Sequence, residues 1–274
     1  MQNNLPNFIV AGVMKGSTTA AAKNLGKHLD VYCVSPWWKQ KINAKYSHDL
    51  STLTQGLSKE KSKEMDFFNT YQNYKEGIDF YKRYFPLYRI AMGESSPNYF
   101  YNKENQSGNT VKRMKRDIPD AKIIIILRDP IDRAFSHWNH IQKPDKNFGL
   151  QYKDLTFNDC TEQWATPENN NIIQRSLYLD NLNTYIEGFG KEKIYVTTQE
   201  AVRADNLGEY NKMFTFLGVD ELDSDPGFII PNSGSYDTTL DDSSKAFLQT
   251  YFKSDVEGVK ALYPDLDYSS WNTY

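Results

Sequence analysis

Five residues near the start of the chain, Lys15-Gly16-Ser17-Thr18-Thr19, combine one positive charge, one glycine and three hydroxyls. That set suits an anion, and phosphate above all. N–H groups left open at a helix start converge on one point, the helix dipole favours negative charge there, and a lysine adds a full charge. The flanking residues supply the elements such a site needs. Phe8-Ile9-Val10-Ala11 is a short apolar run of the kind a buried parallel strand shows, and Ala20 to Leu25 holds strong helix formers. Strand, small-residue loop and helix therefore predict a phosphate-bearing ligand at Lys15 and the residues after it.

The rest of the chain must hold that unit in place. Ile123-Ile124-Ile125-Ile126-Leu127 is a run of branched aliphatics without alternation, which predicts a parallel strand covered on both faces. It leads into Arg128-Asp129-Pro130, where Asp129 suits an N-cap and Pro130 the first helical position, so a helix is expected over Ile131–Gln142. Further strands are expected at Val31–Val34, Tyr88–Met92 and Ile194–Thr198. Helices are expected over Gly77–Phe85, Asn109–Ile118, Ile172–Gly188, Tyr210–Leu217 and Asp242–Leu262, with Lys143–Asn171 as loop. Alternating strands and helices predict an α/β fold, P-loop-like and three-layered, with a central parallel β-sheet flanked by helices. Residues 1–274 read as a single domain with an insertion at about 35–63.

Composition narrows the function classes. No apolar run is long enough for a membrane span, and the first ten residues lack the basic and apolar regions of a signal peptide. Cys33 and Cys160 form neither a disulfide framework nor a metal-ligand pattern and read as buried thiols, so a cytoplasmic, reducing setting is expected. Residues 1–146 hold 23 Lys/Arg against 14 Asp/Glu, whereas residues 147–274 hold 9 against 21. The first half is thus the expected home of an anionic ligand. Nucleic acid is not expected, because the whole chain carries a net charge of -3.

The order of residues in the loop separates two kinds of phosphate site. In a P-loop nucleotidase the lysine follows the glycine and a hydroxyl meets magnesium; here Lys15 precedes Gly16, and Arg128 stands where an acidic residue would end the second strand. Lys15-Gly16-Ser17-Thr18-Thr19 instead resembles the 5′-phosphosulfate loop of sulfotransferases that use 3′-phosphoadenosine 5′-phosphosulfate (PAPS). Ile125 to Ser136, with Arg128 at a strand end and Ser136 two helical turns later, resembles that family's 3′-phosphate motif. Lys63-Glu64-Met65-Asp66-Phe67-Phe68, Gly77-Ile78-Asp79-Phe80-Tyr81 and Gly93-Glu94-Ser95-Ser96-Pro97-Asn98-Tyr99-Phe100 are similar to segments of the heparan sulfate and bacterial-type branch, as is Arg175-Ser176-Leu177-Tyr178. The chain departs from the pattern at Ser17, where a glycine is common, and at Ser95, where the heparan branch has a lysine. Its 35–63 stretch is longer than the pattern expects, and Ser233-Gly234-Ser235 stands where a basic loop is expected.

The resemblance implies transfer of a sulfuryl group from PAPS to a hydroxyl, less favourably an amine, of a carbohydrate or small-molecule acceptor. The product of the donor is adenosine 3′,5′-bisphosphate (PAP), and no metal is implied. Lys15 would stabilise the leaving group, and Gly16, Ser17, Thr18 and Thr19 would hold the 5′-phosphate. Arg128 and Ser136 would hold the 3′-phosphate, with support from Tyr178. Glu64 would be the base, with His137 and His140 as rivals. Glu94 and Trp37 are further acceptor-side candidates, against the plain alternatives of a strand-end carboxylate and a packing aromatic. A P-loop phosphotransferase and an inactive PAP-binding protein of the same fold are the competing readings.

Overall fold

The computed structural model describes residues 5–34, 64–85, 89–101, 110–142, 155–164, 171–231, 239–271 and 274. Among them lie five strands: β1 (Phe8–Gly12), β2 (Val31–Val34), β3 (Ala91–Ser95), β4 (Lys122–Leu127) and β5 (Ile194–Thr198). All pair in parallel, in the order β2-β3-β1-β4-β5. The helices are α1 (Thr18–Leu25), α2 (Tyr71–Tyr74), α3 (Ile78–Lys82), α4 (Thr110–Asp117), α5 (Pro130–Ile141) and α6 (Phe157–Trp164). They continue with α7 (Asn171–Gln174), α8 (Leu179–Phe189), α9 (Gln199–Ala204), α10 (Asn206–Leu217) and α11 (Asp242–Leu262).

The central strands β1 and β4 are apolar without alternation because both faces are covered. Ile9, Ala11, Ile123, Ile125 and Leu127 pack under α4, α5, α8 and α11. Phe8, Val10, Ile124 and Ile126 pack under α1 and α10. Each enclosed isoleucine contributes about 2–3 kcal/mol of apolar burial. The outcome is the expected three-layer α/β fold.

Three local expectations change. The strand expected at Tyr88–Met92 lies at Ala91–Ser95, because the register Phe8↔Gly93 and Val10↔Ser95 extends pairing through Glu94. The helix expected over Ile172–Gly188 is two helices. Asp255 accepts the N–H groups of Tyr178 and Leu179 at 2.8 and 3.0 Å and starts α8 afresh, while Arg133 donates to Ser176 Oγ at 2.5 Å. The stretch expected as loop contains α6, opened by a reciprocal cap: Thr156 N–H donates to Asp159 Oδ2 and Asp159 N–H to Thr156 Oγ1. The helix starts at Asp129 and Pro130 and the stop at Gly218 (φ 85°) are as expected. Cys33 is half-buried rather than enclosed. The 35–63 insertion with Trp37, and Ser233-Gly234-Ser235, lie outside the described residues.

Glu94 is fully enclosed, at 0% exposure in β3. Tyr81 and Tyr99 donate to its Oε1 at 2.7 Å each, and Ser96 donates to Oε2 at 2.6 Å. Burial raises its pKa to about 7 against these three donors, from an ordinary 4.5. The native state therefore holds a proton that the unfolded chain has already released. The stabilisation that proton brings is complete below about pH 4.5 and is lost as pH rises through about 7. Urea unfolding at pH 5 and pH 8 should show the wild type losing about 2–3 kcal/mol more between them than a Glu94→Gln variant loses. Glu94→Ala, which strips three buried hydroxyls of their acceptor, should cost about 3 kcal/mol or more at either pH. A wild-type profile as flat as that of Glu94→Gln removes this account.

Candidate active site

From β1 the chain first builds one side of the sheet, with β2 and β3, and then the other, with β4 and β5. The reversal opens a crevice between the carboxyl ends of β1 and β4, the usual ligand position in an open parallel sheet. The Lys15 loop leaves β1 there, and Arg128 follows β4. Val13 N–H donates to the Ile126 carbonyl at 3.0 Å, and Arg128 Nη1 reaches the Lys15 carbonyl at 3.4 Å. The residues that the sequence places 113 apart thus share one end of the sheet.

The loop is tight. Lys15 and Ser17 both take the left-handed conformation at φ 72°. Gly16 lies against β4 so closely that a Cβ would sit 2.3 Å from the Ile126 carbonyl oxygen, which leaves room for no side chain. Its N–H closes the loop on the Val13 carbonyl at 2.8 Å, so it is turned inward rather than towards a ligand. Ser17 is the N-cap of α1, yet its side chain makes no capping bond. The first-turn N–H groups of Thr18, Thr19 and Ala20, which no helix can satisfy internally, are left to an anion. Ser17 Oγ instead accepts a hydrogen bond from Gln199 Nε2. Thr18 is buried and Thr19 exposed.

Cations crowd the same end of the sheet. Arg128 is nearly enclosed, and Ser136 is buried on α5. Tyr178 is also enclosed, and its hydroxyl donates to the Arg128 carbonyl at 2.8 Å, so it braces the arginine's backbone. Arg133 is fully enclosed, and burial lowers its pKa to about 10. It donates to Ser176 and to the Ile172 and Met14 carbonyls, tying α5 to α7 and to the lysine loop. Arg175 donates from Nη1 to Asn98 Oδ1 at 3.1 Å and lies 4.9 Å from the Tyr101 ring centroid, while its buried Nε has no hydrogen-bond partner among the described residues. His137 is buried with Nδ1 likewise unpartnered. Burial first, then the charges of Arg133, Arg175, Lys15 and His140, hold its pKa well below the ordinary histidine value. Unspent donors amid surplus positive charge favour an anion, and they keep His137 neutral and weakly basic.

Glu64 is half-buried beside Asp66, and Asn98 Nδ2 donates to Glu64 Oε2 at 3.2 Å and to Asp66 Oδ1 at 3.1 Å. Arg175, on the other side of Asn98, feels both carboxylates. Glu64, Arg175, His137 and Lys15 therefore belong to one electrostatic neighbourhood. Glu94, by contrast, faces the core. Gln199 and Asn98 were not among the residues expected from sequence. Both follow the carboxyl end of a parallel strand, and that position was the available signal.

The chain is 26% identical over 294 residues to the mouse bifunctional heparan sulfate N-deacetylase/N-sulfotransferase 4, covering 95% of this chain and 30% of that protein. It is 26% identical over 231 residues to the human heparan sulfate glucosamine 3-O-sulfotransferase 3B1, covering 82% of this chain and 49% of that protein. It thus spans about a third to a half of the length of these relatives. The crystal structure of a sulfotransferase from Alicyclobacillus acidocaldarius superposes with a TM-score of 0.64 at 25% identity, covering 97% of this chain and 98% of the other. The family model described as the sulfotransferase family matches residues 6–224, the whole span from β1 to beyond α10, and the chain is a sulfotransferase of that family.

Proposed function

We propose that the chain takes the sulfuryl group from PAPS and passes it to a hydroxyl of a carbohydrate or small-molecule acceptor, an amine being the less favoured nucleophile. One observation carries this reading: the Arg128 turn stands directly against the Lys15 loop at the crevice, with Nη1 3.4 Å from the Lys15 carbonyl. Two anion-suited ends side by side match a donor phosphorylated at both its 3′ and 5′ positions. The heparan sulfate named in the relatives supports a glycan acceptor.

The reaction is an in-line displacement. The acceptor oxygen bonds to sulfur, the bond from sulfur to the 5′-phosphate oxygen breaks, and PAP leaves with the electron pair. The protein's part is positioning and charge stabilisation. Lys15 offsets the negative charge gathering on the bridging oxygen. The N–H groups of Thr18 and Thr19 and the hydroxyls of Ser17, Thr18 and Thr19 hold the 5′-phosphate, with Gly16 shaping the loop. Arg128 and Ser136 hold the 3′-phosphate, and Tyr178 steadies Arg128. Glu64 takes the acceptor's proton, for which a carboxylate fixed by Asn98 is better suited than a cation-hemmed His137.

Titration calorimetry with PAP should give micromolar binding by the wild type. Arg128→Ala should weaken it about 10- to 100-fold through loss of a charge-assisted bond. Lys15→Ala should lower turnover about 100- to 1,000-fold, well beyond its effect on PAP affinity. Absence of PAP binding by the wild type, or indifference to both substitutions, would sink the donor assignment. For the base, Glu64→Gln should cut kcat about 100-fold or more with PAP affinity unchanged, read by labelled-PAPS transfer to glycans, phenols, alcohols and amines. Full activity in Glu64→Gln would pass the role to a histidine.

A further inference from the structure

Ser17 occupies a left-handed position that a glycine takes without steric cost, and as an N-cap it does not cap. Both oddities have one partner. Gln199 begins α9 directly after β5, only 4% exposed, and its Nε2 donates to Ser17 Oγ across 182 residues of sequence. We propose that Gln199 is a positioning residue of the donor site: it holds the Ser17 hydroxyl so that its proton is presented to the 5′-phosphate. The inference rests on the PAPS reading above.

Hydrogen-bond chemistry gives the direction. A serine oxygen that accepts from an amide keeps its own O–H to donate elsewhere. The usual N-cap bond would use that oxygen to satisfy a first-turn N–H, one of the groups an anion needs. Drawing the oxygen towards Gln199 leaves those N–H groups open and adds an O–H donor beside them. Gln199 is itself fixed. The register Leu127↔Thr198 sets it level with Arg128, and Thr198 caps α9 by accepting from Ala201 N–H at 3.1 Å. Its neighbour Glu200 accepts the Asp129 N–H at 3.2 Å through Oε1 and the Trp271 Nε1–H at 3.3 Å through Oε2. Gln199 and Glu200 thus reach the lysine loop and the turn after Arg128 from one rigid corner, which sets the spacing between the two phosphate ends.

The test is a double-mutant cycle read by PAP affinity. Gln199→Met keeps the side chain's length and removes the amide, and Ser17→Ala removes the hydroxyl. Each should weaken PAP about fivefold to twentyfold, and the double variant should be no weaker than Ser17→Ala alone. Gln199→Glu should be worse than Gln199→Met, because a carboxylate draws the serine proton inward and repels the phosphate. The KM for acceptor should stay put in all of them, which a general loss of structure would not allow. Should Gln199→Met fail to fold, Gln199→Leu measured with and without the Ser17→Ala substitution carries the same cycle, since it too removes the amide without adding a charge. A wild type that binds PAP while Gln199→Met binds it equally well, or losses that add in full, overturns this inference alone. A wild type blind to PAP overturns the donor assignment and this inference with it.

Discussion

The parallel pairing of β1 with β4 is the constraint on which the site depends. It brings two anion-suited segments to one end of the sheet: a loop whose helix-start N–H groups are unspent and a turn that carries an arginine. Gly16 shows how close the approach is, since β4's backbone fills the space a side chain would need. The register shift between Val10 and Gly12 lets β1 leave the sheet at this point while β4 continues to Leu127. Arg133 then ties the loop to α5 and α7 from beneath, through the Met14 and Ile172 carbonyls. An arginine so enclosed holds its place by donating to several oxygens at once, where a lysine has only a single ammonium.

Much of this was legible in residue order. A lysine before its glycine and an arginine in place of a strand-end acid were enough to pair Lys15 with Arg128 beyond the carboxyl ends of β1 and β4. The strands and long helices followed from apolar runs and from Asp129, Pro130 and Gly218, whose effects are local. What stayed hidden depends on distant partners. Nothing between Ile172 and Gly188 announces a break, because Asp255 and Arg133 make it from elsewhere in the chain. The side-chain role of Ser17 is invisible without Gln199, 182 residues away. The helix at Phe157 is a different case: the Thr156–Asp159 pair is a readable start signal, outweighed by the polar residues around it.

Charge supplies the second layer of organisation. The basic first half of the sequence does not form a diffuse surface. Part of it turns inward, with Arg128 and Arg133 at low exposure beside a neutral His137, and the half-buried Arg175 joins them from the second half. Enclosing several cations together is costly and is offset when an anion joins them. Such a cluster favours a ligand of high negative charge over an uncharged one.

The core carboxylate Glu94 has a reach beyond its own hydrogen bonds. The Ser96 and Tyr99 hydroxyls that donate to it also accept, from Asp66 N–H at 3.1 Å and from Phe67 and Phe68 N–H at 2.8 and 3.3 Å. The backbone just after Glu64 is therefore moored to β3 through two hydroxyls, and Arg113 adds a bond to the Phe68 carbonyl. Residues 64–68 and 94–99 form one exchangeable module. A graft that imports residues 64–68 from a relative keeps its geometry only when the strand end that moors them travels along.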